Sequence, residues 1–235
     1  MDHPVPKGPL AVRWRLLEHG VVHAGALAHA VVELENAGTA SWQPERVKLT
    51  YHWLDDRGNP IVWDGIRTEL EGPVAPGEPL WAEIALRGPI PPGSYVLAVD
   101  LVDEGRLWFE EVGNTPLERE VAVAPRIERA DQAVAHLAVG VETAPDWSRR
   151  VFEAHQEGYA VVAGSIEAPR RLRRELEPYA PGPGRVPGFP HPLVCPSVVE
   201  GVEVEWTEVA GLPAAIPPPH EPWVYDARIR LGVAR

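Results

Sequence analysis

The stretch that most constrains this chain is residues 47–65, VKLTYHWLDDRGNPIVWDG. Val47, Leu49, Tyr51 and Trp53 alternate with Lys48, Thr50 and His52. That is the period-two pattern of a strand with one buried face. The DDRGNP run at 55–60 carries turn chemistry, and Ile61-Val62-Trp63 starts back. The reading is a β-hairpin at the centre of a β-sandwich. Further alternating runs occupy 27–35, 80–87, 94–103 and 117–123, with an edge strand over 12–17 and a short return at 107–109. Turn residues separate them: Asn36 to Thr39, Pro73 to Gly77, Pro91-Pro92-Gly93 and Glu104-Gly105-Arg106. Roughly seven short strands at this spacing predict an immunoglobulin-like sandwich over residues 1–125. The 27 prolines in 235 residues favour such short elements over long helices.

Within this half, Asn36-Ala37-Gly38-Thr39-Ala40-Ser41-Trp42 is followed by Pro76-Gly77, Pro92-Gly93-Ser94-Tyr95, and Gly105 ahead of Trp108-Phe109. This layout resembles bacterial immunoglobulin-like accessory sandwiches attached to polysaccharide-export and glycosyl-transferring proteins. It is also similar to the four-tryptophan domain of autophagy receptors. The resemblance covers about half the chain and leaves the second half outside it. It implies a binding or spacer unit and carries no catalytic residue.

Beyond Pro125 the periodicity changes, and residues 126–235 read as a small α/β domain with proline-rich loops. An apolar strand is expected over 136–141. Thr143 and Asp146 fit a capping box for a helix over 145–157, ended by Gly158. The apolar run YAVVAGSI at 159–166 reads as a strand covered on both faces, so strand, helix and strand form a β-α-β unit. A second helix is expected over 170–177, with later strands over 202–209 and 227–231.

Several residues are candidates for function. Glu142 and Glu167 follow two expected neighbouring strands, at the sheet edge where open α/β folds bind ligands. Two carboxylates there can hold a divalent ion or share acid and base duties; the alternative is a solvated loop and a helix-end charge. Trp63, Asp64 and the outward-pointing Trp81 are candidates for stacking on a sugar, the alternative being that tryptophans simply fill the core. Arg170 and Arg174, with Arg171 and Arg173, can clamp a phosphate or carboxylate, or form an exposed face of mixed charge with Glu175 and Glu177. His19, His23 and His29 lack the Cys or carboxylate partners of a metal set, and no metal or cofactor is expected. Cys195, the single cysteine, excludes an intrachain disulfide and reads as a buried structural thiol; the alternative is a Cys–His dyad or a metal site, with His191 in the same loop and His220-Glu221 in a second one.

The net charge of −12 argues against a nucleic-acid partner or charge-held attachment to anionic lipid. No apolar run approaches the ~20 residues of a membrane span, and a cytoplasmic location is the expectation. The expected function is a non-catalytic module binding a polysaccharide or a protein partner, with oligomeric state left open. The alternatives are an enzyme acting on glycosyl or anionic substrates through Glu142 and Glu167, and a structural component of an assembly. The last predicts an exposed apolar patch at Trp81 or Trp223.

Overall fold

The computed structural model describes residues 5–179, 184–187 and 192–233. The chain is mostly β and divides into two compact units. Unit 1 comprises Met1–Val22, Leu27–Pro89 and Gly93–Ala124; unit 2 comprises His23–Ala26, Ile90–Pro92 and Pro125–Arg235.

In the first unit the strands are β1 (Val12–His19), β2 (Val22–His23), β3 (Leu27–Asn36), β4 (Val47–Leu54) and β5 (Pro60–Val62). They continue with β6 (Thr68–Glu69), β7 (Pro79–Arg87), β8 (Gly93–Asp103), β9 (Leu107–Trp108) and β10 (Leu117–Ala124). One sheet has the order β1-β3-β7; the other runs β2-β10-β8-β4-β5, with β6 on β4 and β9 on β8. Ala30, Val32, Leu34, Ile84 and Leu86 are buried on the first sheet, and Leu49, Tyr51, Trp53, Leu97, Val99 and Leu101 on the second. Each set occupies alternate positions, so the two inner faces make the core of a β-sandwich. Trp42 meets Phe109 edge-on at 5.6 Å, and Trp53 meets Tyr95 at 6.3 Å. The buried rings also satisfy polar atoms: Trp53 Nε1 donates to the Arg87 carbonyl, and Tyr51 Oη accepts from the Arg87 N–H, both at 2.8 Å.

The Asn36–Trp42 motif has a physical cause. Asn36 is fully buried; its Nδ2 donates to the carbonyls of Ala40 and Val74, and its Oδ1 accepts from the Gly38 N–H. Gly38 itself lies so close to the chain that a Cβ there would sit 2.2 Å from the Pro9 carbonyl oxygen.

The second unit contains β11 (Ala133–Ala135), β12 (Val141–Thr143), helix α1 (Trp147–Glu157), β13 (Val161–Glu167) and helix α2 (Arg170–Leu176). It continues with β14 (Arg185–Pro187), β15 (Leu193–Val194), β16 (Ser197–Val199), β17 (Glu205–Val209), β18 (Leu212–Ile216) and β19 (Trp223–Val233). Its main sheet has the order β11-β16-β13-β19-β12, with β14 on β19; β15, β18 and β17 form a smaller sheet. Val162 packs with Trp147, Val151 and Val224 on one face of the main sheet, while Val161, Ala163, Trp223 and Tyr225 pack on the other. The YAVVAGSI run is therefore covered on both faces.

The expected β-α-β unit is corrected. β12 and β13 are not neighbours: β19 lies between them, antiparallel to β12 and parallel to β13. The parallel partner comes from the end of the chain, so local patterning could not reveal it. The expected strand at 136–141 is replaced by β11 and β12. Thr143 is not the helix cap but a strand residue opposite Leu231; Asp146 takes the N-cap position, with its side chain engaged by Arg150. Trp223 is buried, which removes the expected patch there, whereas Trp81 is 58% exposed.

Helix α1 buries His155 completely. Its Nδ1 lies 2.7 Å from the Tyr159 carbonyl, and its Nε2 lies 2.9 Å from Ser197 Oγ. Burial pushes its pKa down to about 4. The unfolded chain binds that proton first, so the stability from neutral His155 is complete above about pH 6.5 and declines as pH falls towards 4.

Two outcomes are expected. Asn36→Ala should lower unfolding stability by roughly 2–4 kcal/mol in urea titrations, because it strands buried carbonyls and the Gly38 amide. Between pH 7 and 4 the protein should lose about 3 kcal/mol from His155 alone; a His155→Gln variant measured across the same range should lack that component.

Candidate functional site

The outer face of the larger sandwich sheet holds the most developed site. Patterning assigns Thr50 and His52 to a solvent face, yet both are buried. The segment after β5 turns back over β4, and the Gly65 N–H donates to the Tyr51 carbonyl at 3.1 Å. A Cβ on residue 65 would lie 2.4 Å from that oxygen, so the chain can lie flat on the strand only with glycine at this position.

This return places Trp63 and Arg67 over the sheet. The His52 ring stacks under Trp63 with centroids 4.2 Å apart and planes 21° apart. It also tilts against Trp108 of β9 at 4.6 Å, and the two indoles meet at 5.7 Å. The Arg67 guanidinium lies 4.8 Å over the Trp108 ring, a cation–π contact. Arg67 Nε donates to Glu104 Oε1 at 2.7 Å, and its Nη1 reaches Thr50 Oγ1, the Gly65 carbonyl and Asp64. Asp103, nearly buried, receives both Arg46 and Arg106 at 2.7 Å and so holds Arg106 at the rim.

Trp63, Asp64, Arg67, Glu104, Arg106 and Trp108 line a depression of about 410 Å³. Trp63 remains 43% exposed above its His52 support. Burial lowers the pKa of His52, and the Arg67 charge adds to the effect, so the supporting ring is held neutral. Asp100, on the same sheet face, has its pKa raised to about 7 by burial. The arrangement offers an indole surface held rigid by stacking, beside carboxylates and a guanidinium that can accept and donate hydrogen bonds.

The other sequence candidates lie elsewhere. Trp81 projects from β7, opposite Glu33, in the other sheet of the sandwich. Glu142 and Glu167 both pair with Gly232, one on each side of β19, so they share a row of the sheet; both are exposed. Arg170 and Glu167 line a cavity of about 970 Å³ together with Arg173 and Glu177, and Arg174 is exposed on α2 outside that lining. Cys195 is buried, its thiol pKa raised to about 11; His191 lies outside the described residues. His29 pairs with Glu83 at 2.9 Å, and no group of three or more His, Cys, Asp or Glu arranged to hold a metal occurs among the described residues.

Sequence reasoning missed Trp108, Arg67 and His52 as parts of one site. The glycine two residues after Trp63 was the available local signal; nothing in the sequence joins Trp63 to Trp108.

No family model matches the chain. Among solved structures, the C-terminal domain of wzt is similar at 11% identity and a TM-score of 0.36, over 53% of this chain and 78% of that one. A CARDB domain from Pyrococcus furiosus in complex with di-metal ions is 16% identical, TM-score 0.32, over 52% and 92% of the two chains. Sporulation control protein Spo0M from Bacillus subtilis is 14% identical, TM-score 0.33, over 65% and 55%. Likenesses this weak carry no argument about ligand or activity; the β-sandwich rests on the strand pairing and core described above. No helix among the described residues is long and apolar enough to cross a membrane.

Gly65→Ala should force the 63–67 segment off β4. The expected outcome is a loss of roughly 1–3 kcal/mol in stability together with a changed near-ultraviolet circular dichroism signal from Trp63 and Trp108.

Proposed function

We propose that the first unit is a carbohydrate-binding module whose site is the Trp63–Trp108 depression. The observation that carries this reading is the half-exposed Trp63 ring, held by His52 at 4.2 Å beside Asp64, Glu104 and Arg106. A pre-stacked indole loses little conformational entropy when a sugar's C–H face settles on it. The neighbouring carboxylates and guanidinium match the donor and acceptor pattern of vicinal hydroxyls. The mixture of both charge signs at the rim favours a neutral saccharide over a strongly anionic one. The resemblance of the Asn36–Trp42 and Pro92–Tyr95 motifs to accessory sandwiches of polysaccharide-export proteins supports the same reading.

A protein-interaction role is the second reading, favoured by Trp81 and Val31, exposed on the outer face of the smaller sandwich sheet. The enzyme alternative through Glu142 and Glu167 has their shared register opposite Gly232 in its favour.

Tryptophan fluorescence titrated with neutral and acidic oligosaccharides tests the proposal. Binding of a neutral oligosaccharide should weaken about tenfold or more in Trp63→Ala, equivalent to ~1.4 kcal/mol, and be unchanged in Trp81→Ala. Silence across the panel, or full affinity in Trp63→Ala, would sink it. Dependence on Trp81 instead would move the binding surface to the other sheet.

A further inference from the structure

A second polar cluster lies within the second unit, and the binding role above does not use it. β16 carries Ser197 into the middle of the main sheet, paired with Ala135 on one side and Val162 on the other. From α1, His155 reaches down so that its Nε2 is 2.9 Å from Ser197 Oγ. The Nδ1 of the same ring is 2.7 Å from the Tyr159 carbonyl. A carbonyl can only accept, so Nδ1 carries the proton and Nε2 is left as the acceptor for the serine hydroxyl. A hydroxyl, an imidazole acceptor and a third group that orients the imidazole make the arrangement of an activated nucleophile.

The pair is buried, His155 at 0% and Ser197 at 2% exposure, and borders a cavity. His155 and Ser197 line a cavity of about 170 Å³, walled by Ile127, Val151 and Phe152 and reaching exposed residues at Ala130, Ala135 and Ser148. Trp147 lines the same cavity, and its Nε1–H is buried with no hydrogen-bond partner among the described residues. A buried donor without a partner is costly, and in the same cavity it is a candidate donor to a developing oxyanion.

We propose that Ser197 and His155 form a nucleophile–base pair at the floor of this cavity, acting on short-chain acyl esters. This goes beyond the binding role of the sandwich and does not rest on it. Ser197 Oγ attacks the acyl carbon and its proton passes to His155 Nε2. The bond from the acyl carbon to the alcohol oxygen breaks, and the leaving alcohol takes the proton from Nε2. Water then attacks the acyl-serine, giving its proton to Nε2; Ser197 leaves, recovers a proton and frees the carboxylic acid. The small apolar cavity admits an acetyl-to-butyryl chain and leaves no room for a long one. Burial keeps His155 in its base form at neutral pH while making the transient imidazolium unfavourable, so turnover is slow.

The experiment uses the full chain. Diisopropyl fluorophosphate should modify Ser197, identified by peptide mass mapping, and at least tenfold more slowly in His155→Gln. Hydrolysis of p-nitrophenyl acetate should fall at least tenfold in Ser197→Ala and be unchanged in Ser41→Ala, an exposed serine of the first unit. p-Nitrophenyl octanoate should react at least tenfold more slowly than the acetate. An unmodified Ser197 in the folded wild-type protein overturns the proposal without recourse to any variant. Equal ester hydrolysis in Ser197→Ala overturns it as well, and equal rates for acetate and octanoate overturn the assigned substrate class.

Discussion

One backbone contact organises the outer surface of the sandwich: the Gly65 amide on the Tyr51 carbonyl. Because the chain returns over β4 at that point, Thr50 and His52 leave solvent, Trp63 acquires a ring beneath it and Arg67 comes to rest on Trp108. The inner face of the same strand is a conventional apolar core. β4 is thus buried on both sides over part of its length, apolar inside and polar-aromatic outside. Much of this covered polar surface is paired, Arg67 alone engaging Thr50, Asp64, Gly65 and Glu104, while His52 Nε2 and Asp100 Oδ1 are buried without a hydrogen-bond partner among the described residues. Its cost is visible in His52 and Asp100, whose charged forms burial disfavours.

The second unit uses burial differently. Its main sheet is covered on both faces, with Trp147, Val151 and Val224 on one and Val161, Ala163 and Tyr225 on the other. Polar groups inside such a layer need internal partners. His155 meets that demand through Tyr159 and Ser197. Asp226, also buried, does so through Arg228, whose guanidinium holds the carboxylate ionised and below its usual pKa against the opposing effect of burial.

Much of the local structure was legible in the chain. Alternation at Ala30-Val32-Leu34 and at Leu97-Val99-Leu101 is a direct record of burial on one face of a strand, and the strands are found there. Gly158 ends α1 in a positive-φ conformation that glycine adopts without strain. The nearly continuous apolar run of β13 reported a strand hidden on both sides. Thr143 misled because a residue fit to cap a helix is equally able to end a strand, and the choice was made by β19 pairing with it. Trp63 and Asp64 were legible as candidates from residue type and turn position. His52 was not, because alternation alone puts it in water.

The sequence by itself determined most strands and turns of the first unit and, in the second, α1, α2 and β13, since side-chain periodicity and the backbone preferences of Gly, Pro and Asn act over a few residues. It also determined the chemistry on offer: many indoles, acidic excess, a lone thiol. Tertiary structure decided which of those groups meet. Trp63 reaches Trp108, His155 reaches Ser197, and Glu142 and Glu167 share a row through Gly232. Each of these meetings spans 25 or more residues of chain and depends on strand order and on a segment folding back, which no local pattern encodes.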